Sequence, residues 1–264
     1  MNIFIREMKA NRKALIIWCV SMALLVLSGM SKYTAYSAGG VSSDVFDKLP
    51  YTMKALMGMG SFQVTEMSGF FAFLFSYIEI TAAIHAALLG NGIIAKEERD
   101  KTTEFIIVKP ISRFQIMTEK YLAAIINIIV LNIVTFFSSL MAVSAFNKGE
   151  PINTELILFY ISMFFVQLIF LFLGAFFASC SKRTKGSGSL TIGIVLASFM
   201  IAKFTTMTDK VNFLNVLSPF QYFSYEKIVN GGEINLLIAL LSLVLTSIFT
   251  ILSYLFYLRR DLSI

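Results

Sequence analysis

Six apolar stretches alternate with polar ones along the chain, at residues 14–30, 68–95, 121–145, 154–179, 186–207 and 234–258. A helix that crosses a membrane needs about 20 mostly apolar residues, with ~17 as a lower bound, because each residue rises only about 1.5 Å. All six stretches meet that requirement. The pattern predicts an all-α integral membrane protein: one transmembrane domain over residues 1–264, with six spanning helices. Ahead of the first stretch, residues 1–13 mix Ile3, Phe4, Ile5 and Met8 with Arg6, Lys9, Arg12 and Lys13. That mixture predicts a short N-terminal helix in the membrane interface, its basic side chains near anionic lipid. Trp18 fits an anchor near the inner end of the first span. A basic start before an apolar run is also the layout of a secretion signal, with Ala35 to Ala38 resembling a cleavage site. The run is long enough to span, and it is read as the first span.

The polar connectors differ in length. Residues 31–67 form a long first connector, in which Pro50 predicts the start of a short helix over 51–59, ended by Gly58 and Gly60. Residues 147–153 predict a tight turn, and residues 181–185 a short basic one. In the connector 209–233 the apolar part, 213–225, is split by Pro219. It predicts a segment that dips partly into the membrane before the last span. Residues 96–120 hold eleven charged side chains in twenty-five residues, the longest charged run in the chain.

Composition agrees with the membrane reading. The chain is 57% hydrophobic with 26 Phe, and its mean hydropathy is +0.76. The net charge of +6 does not point to nucleic acid, because the basic residues punctuate the ends of apolar runs. Of the 22 Lys and Arg, fifteen fall on the side of the two termini and seven on the other. Basic residues favour the cytosolic side, so both termini are expected in the cytosol of a multi-pass protein of the cell membrane. Two cysteines, Cys19 and Cys180, then face the reducing side and predict no structural disulfide. One His and two Cys supply almost no ligands for a metal site, and none is predicted.

The stretch 96–120 reads as two helices with a bend. Glu97, Glu98 and Asp100 suit the first turn of a helix running from about Glu97 to Val108, where the dipole favours anions. It stops near Lys109, because the residue before Pro110 is pushed out of helical geometry. A second helix starts at Ser112, with Gln115 completing a capping box and Ile111 stapling onto Ile116. It continues into the third span. Phe105 to Val108 is apolar enough to dock on something. The residues alone leave lipid headgroups and a protein partner both open.

The stretch Glu97 to Arg113, EERDKTTEFIIVKPISR, resembles the first cytoplasmic loop of ABC-2 type transporter permeases, the coupling-helix region. The start REMKANRKALIIW, the segment LSPFQYF before the last span and the terminal FYLRRDL resemble the same family in kind. The resemblance covers nearly the whole chain. It implies a half-transporter that pairs with a second permease chain, the same or homologous, and with two copies of a P-loop ATP-binding subunit. Glu97, Glu98, Arg99, Asp100, Lys101, Thr102, Thr103 and Glu104 would match the helix seated in a cleft of the ATPase, with Phe105 to Val108 its anchoring side. Pro110, Ser112 and Arg113 complete the expected coupling region. ATP and magnesium would sit on the partner. No G-x-x-x-x-G-K-[ST] motif occurs in this chain, and no stretch is long and soluble enough for a nucleotide-binding domain.

Six polar residues inside the expected spans are candidates for a function or a structural bond. Glu79 is a carboxylate that costs about 3 kcal/mol near the bilayer centre if charged. It is expected to face the bundle, as part of a substrate path or as a structural hydrogen-bond partner. His85 lies six residues on and is rotated roughly 120° away, which disfavours an intrahelical dyad. Asn127, Asn132 and Thr135 on the third span and Gln167 on the fourth are expected to bond between helices. Gly174 and Ala178 predict close helix packing. No catalytic residue is assigned, since His85 has no partner set for proteolysis or hydrolysis. Other readings stay open at this stage: an ATP-independent transporter or channel using Glu79 and His85, or a membrane immunity or sensor subunit.

Overall fold

The computed structural model describes residues 3–37, 48, 50, 53–54, 63–99, 111–147, 149, 151–181, 184–232 and 234–259. Among them every regular element is helical. Six helices are long and apolar enough to cross a membrane. The first, α1, runs Ile3–Met30 and is followed by the short α2, Tyr33–Ser37. The next three are α3 at Met67–Arg99, α4 at Arg113–Phe146 and α5 at Asn153–Cys180. Then come α6 at Thr184–Met207, two 3-10 segments at Asp209–Leu217 and Pro219–Gln221, and the short α7 at Tyr225–Val229. The last, α8, spans Leu236–Arg259. The predicted helix over 51–59 lies almost wholly outside the described residues.

Two expected boundaries are absent. Residues 3–13 and 14–30 form one uninterrupted helix, because nothing in Asn11-Arg12-Lys13-Ala14 breaks one. Similarly, α3 passes through Lys96, Glu97 and Glu98 to Arg99 without a break. Ala95 to Arg99 are all tolerated in helices, and most are strong helix formers. Glu97 and Glu98 therefore continue α3, which is described as far as Arg99, instead of opening a new helix.

The helices α3 and α5 form the centre. Within their most apolar windows 61% and 67% of residues are buried, against 17% for α1 and α8, so the outer pair present their apolar faces away from the bundle. The two central backbones approach closely where Gly90 faces the Leu171 carbonyl and Gly174 faces the Ala87 carbonyl. A Cβ at either position would overlap that oxygen. The expected packing at Gly174 is present, and Ala178 is buried beside it. Gly90 is the partner that spacing on α5 alone did not reveal. A hydrophobic cluster around Phe71, Phe75 and Phe159 fills one end of this pair. A second, around Met117, Tyr121 and Leu171, fills the other.

The segment after α6 folds back into the bundle. Ser218 is buried and donates to the Ser198 carbonyl at 2.8 Å, and Gln221 donates to the Ala202 carbonyl at 2.6 Å. Ser198 lies nine residues before the end of α6 at Met207. At ~1.5 Å per residue, the chain thus returns about 13 Å along the helix. Phe220, Tyr222 and Phe223 are buried there with Val195, Phe170 and Ala87. The expected dipping segment is this return, and Pro219 begins its short 3-10 turn.

Candidate functional site

At one end of the bundle α3 delivers the chain into the charged stretch and α4 receives it back. Asp100, Lys101, Thr102, Thr103, Glu104, Phe105 and Pro110 lie outside the described residues, as does the Glu97 side chain. The two ends of that stretch are described, and both are tied to the start of α1.

On the α3 side the tie is Glu7. Its side chain is fully buried and lies 2.9 Å from Arg6 Nη2 and 3.4 Å from Lys96 Nζ. A buried carboxylate needs such partners, because removal from water disfavours an unpaired charge. On the α4 side the tie is Glu119. Its Oε2 accepts from the Phe4 amide at 3.0 Å, and its Oε1 accepts from Gln115 Nε2 at 3.3 Å. The first turn of a helix has unsatisfied amides, and a carboxylate from α4 satisfies one here. Ile3 packs with Ile116 and Ile111 to close the same corner.

Ser112 caps α4 as expected, accepting from the Gln115 amide at 3.2 Å. The reciprocal half of the capping box is missing, because the Gln115 side chain is turned to Glu119. Lys120 links α4 to α3 directly. It is 1% exposed, and its Nζ donates to the Ile93 carbonyl at 2.7 Å. Sequence reading treats Lys120 as one more charge at the membrane surface. The α8 end joins through Arg113, whose Nη1 donates to the Leu258 carbonyl at 3.5 Å, and through a Thr118–Tyr254 hydroxyl contact of 2.8 Å. The ends of α1, α3, α4 and α8 thus form one braced platform around the point where the charged stretch leaves and returns.

The intramembrane polar residues fall into separate places. Glu79, 1% exposed, accepts a hydrogen bond from Tyr225 of α7. His85 packs its ring against Trp18, centroids 5.0 Å apart, so Glu79 and His85 do not form a pair. Asn132 and Gln167 bond to each other between α4 and α5, as expected. Gln167 also reaches the Ala82 carbonyl of α3 at 3.5 Å. Asn127 donates within its own helix to Ala123, 2.7 Å, and to Met8 Sδ of α1, 3.3 Å. Thr135 departs from expectation. Its hydroxyl bonds the Leu131 carbonyl one turn back at 2.7 Å and makes no bond between helices. Sequence reading also missed Asn91, which joins three helices: Nδ2 donates to Gly174 at 3.4 Å, and Oδ1 accepts from Ser187 at 3.2 Å.

Among the described residues no three His, Cys, Asp or Glu side chains gather in a way that could hold a metal. A family model described as "ABC-2 family transporter protein" matches residues 1–262. A comparison with curated proteins gives no match.

Proposed function

The chain belongs to the ABC-2 family of transporter proteins, and from that premise we propose that it is the membrane permease subunit of an ATP-driven exporter. Its stretch 96–120 faces the cytosol, as do both termini, in the membrane of a bacterial cell. Two copies of a separate P-loop ATP-binding subunit bind ATP and magnesium, and a second permease chain completes the pathway. A Phe-rich interior with few fixed charges suits an amphipathic or hydrophobic cargo. Glu97 to Phe105, with Pro110, Ser112 and Arg113, form the docking element for the ATPase.

One observation carries this reading: both ends of the charged stretch are anchored to the same helix, Lys96 to Glu7 and Glu119 to the Phe4 amide. A push on residues between Arg99 and Ile111 then reaches α1, α3 and α4 together, without slack at either end. ATP binding that closes the partner subunits would move this platform and tilt the spans between two packings. Such a shift is limited by the partner's differential affinity for the two states.

The test is the double variant Glu98→Ala with Phe105→Asp in the assembled complex. Loss of ATP-dependent transport, with normal membrane insertion of the chain, is the expected result. Full ATP-dependent transport by this variant would rule out the docking role. Purification from native membranes checks the partner itself, which is expected to be a P-loop ATPase.

A further inference from the structure

Most buried polar side chains within the spans are matched to a neighbour: Glu79 to Tyr225, Asn132 to Gln167, Ser139 to Tyr160, Tyr121 to Ser253. His85 departs from this pattern, as does Asn132 Oδ1, but of the two only His85 lines a cavity beside other polar side chains. A cavity of about 170 Å³ lies between α1, α3 and α4, lined by Asn11, Trp18, His85, Gly92 and Asn127 with leucines around them. His85 is only 4% exposed, yet its Nδ1 has no hydrogen-bond partner. Asn127 has committed its Nδ2 to Ala123 and Met8, which leaves its carbonyl oxygen as the group it can offer the cavity. Three hydrogen-bonding side chains from three helices therefore converge on one void, and the buried His85 is costly there without a partner.

The lining narrows what fits. Among the described residues no acid, lysine or arginine lines the cavity, so neither a metal cation nor a phosphate finds a counter-charge there. The volume is well below the ~300 Å³ of a drug-sized site. It has room for about five waters at ~30 Å³ each, or for one small polyol head. Gly92 keeps the space open, since a Cβ there would meet nothing within 4 Å. Depth narrows it further. Lys9, Arg12 and Lys13 are exposed on α1 and mark the headgroup level. Trp18 is five residues further along, about 8 Å deeper at ~1.5 Å per residue. That is the level of the boundary between headgroups and acyl chains, which lies ~5–10 Å in.

We propose that this cavity binds the uncharged, hydroxyl-bearing head of a membrane amphiphile, such as the glycerol of a diacylglycerol, from the leaflet at the N-terminal end of α1. Asn127 accepts from a hydroxyl, Asn11 and His85 complete the polar wall, and the Trp18 ring covers the carbon skeleton. The site is independent of the ATPase reading and is tested without ATP.

Trp18 is the chain's one tryptophan, so its fluorescence reports this cavity without a label. The full chain in nanodiscs is titrated with dioctanoylglycerol, with dioctanoyl phosphatidic acid and with free glycerol. A saturable change with dioctanoylglycerol is expected, at least tenfold stronger in apparent affinity than with either of the others. Gly92→Leu fills the cavity and is expected to abolish the change. Asn127→Leu removes the acceptor and is expected to weaken it tenfold or more, which keeps a readout if the first variant does not fold. An equal response in wild type and both variants overturns the site. A response to free glycerol as strong as to dioctanoylglycerol overturns the membrane source. A stronger response to the phosphatidic acid overturns the uncharged head.

Discussion

Glu7 of α1 is fully buried and pairs with Lys96 of α3 across 3.4 Å, although the two residues are 89 positions apart in the chain. The lysine side chain is 28% exposed, so water still solvates part of the pair. Cutting the pair from the lysine side leaves the buried carboxylate with Arg6 alone. A double-mutant cycle of Glu7→Gln and Lys96→Met is expected to show a coupling energy of about 0.5–3 kcal/mol, the range for residues in contact. Thermal unfolding of the purified chain in detergent measures it. Under the proposed function both single variants also uncouple ATP hydrolysis from transport, since α1 no longer moves with α3. ATPase and transport rates compared in the same vesicles check this, and unchanged coupling in both would refute the role of the pair.

Lys120 offers a second test. It holds the Ile93 carbonyl from a fully enclosed position, so a substitute must fill its volume and supply a point donor. Lys120→Ala is expected to cost about 2–5 kcal/mol, as for large-to-small changes in cores. Lys120→Arg is expected not to rescue it, because a planar fork does not fit where a compact ammonium does. Melting temperatures of the two variants beside the wild type decide. A wild-type value for Lys120→Ala would mean that the buried contact contributes nothing.

Much of this architecture is written in residue order, and part of it is not. The six spans follow from apolar length alone, and Ser112 marks the start of α4 by its side-chain chemistry. Helix ends without such a signal were misplaced. Nothing in Ala95 to Arg99 indicates whether a helix starts there or simply continues, because helix-compatible residues serve either. The platform was the least legible. Glu7 is a lone acid in a basic helix, and that oddity is the one local hint of a cation waiting elsewhere. Its partner Lys96, and the meeting of Glu119 with the Phe4 amide, are set by how α1 crosses α3 and α4. Crossing geometry depends on the whole packed surface. Asn91 and Gly90 were hidden for the same reason: their roles exist only against Ser187 and Leu171.

Gly90 and Gly174 set the spacing of the two central helices. An added methyl at either would overlap a backbone carbonyl, which unlike a flexible side chain cannot swing aside. Gly90→Ala and Gly174→Ala are each expected to destabilise the bundle by about 1–3 kcal/mol, the usual cost of overpacking, and more where the helices cannot separate. Gly193→Ala on α6 is the control, since a Cβ there meets nothing within 4 Å, and helix propensity favours the alanine. Thermal unfolding is expected to rank the two core variants well below the control.

Tyr225 pins α7 onto the centre of α3 through the buried Glu79. The ring itself packs edge-on to Phe75 and Phe159, at 5.8 Å from each, so Tyr225→Phe keeps the packing and removes only the hydroxyl. A hydrogen bond contributes about 0.5–1.5 kcal/mol, and its loss leaves the buried Glu79 oxygen without this donor. The segment between α6 and α8 is expected to open more often in the variant, because Glu79 is its polar hold on α3. Limited proteolysis of reconstituted vesicles reads this as faster cleavage within residues 208–232. Glu79→Leu removes the carboxylate that needs a partner, so combining it with Tyr225→Phe is expected to cost less than the sum of the two single changes. Additive effects would show that the two residues act separately and that the hydroxyl does not hold the segment closed.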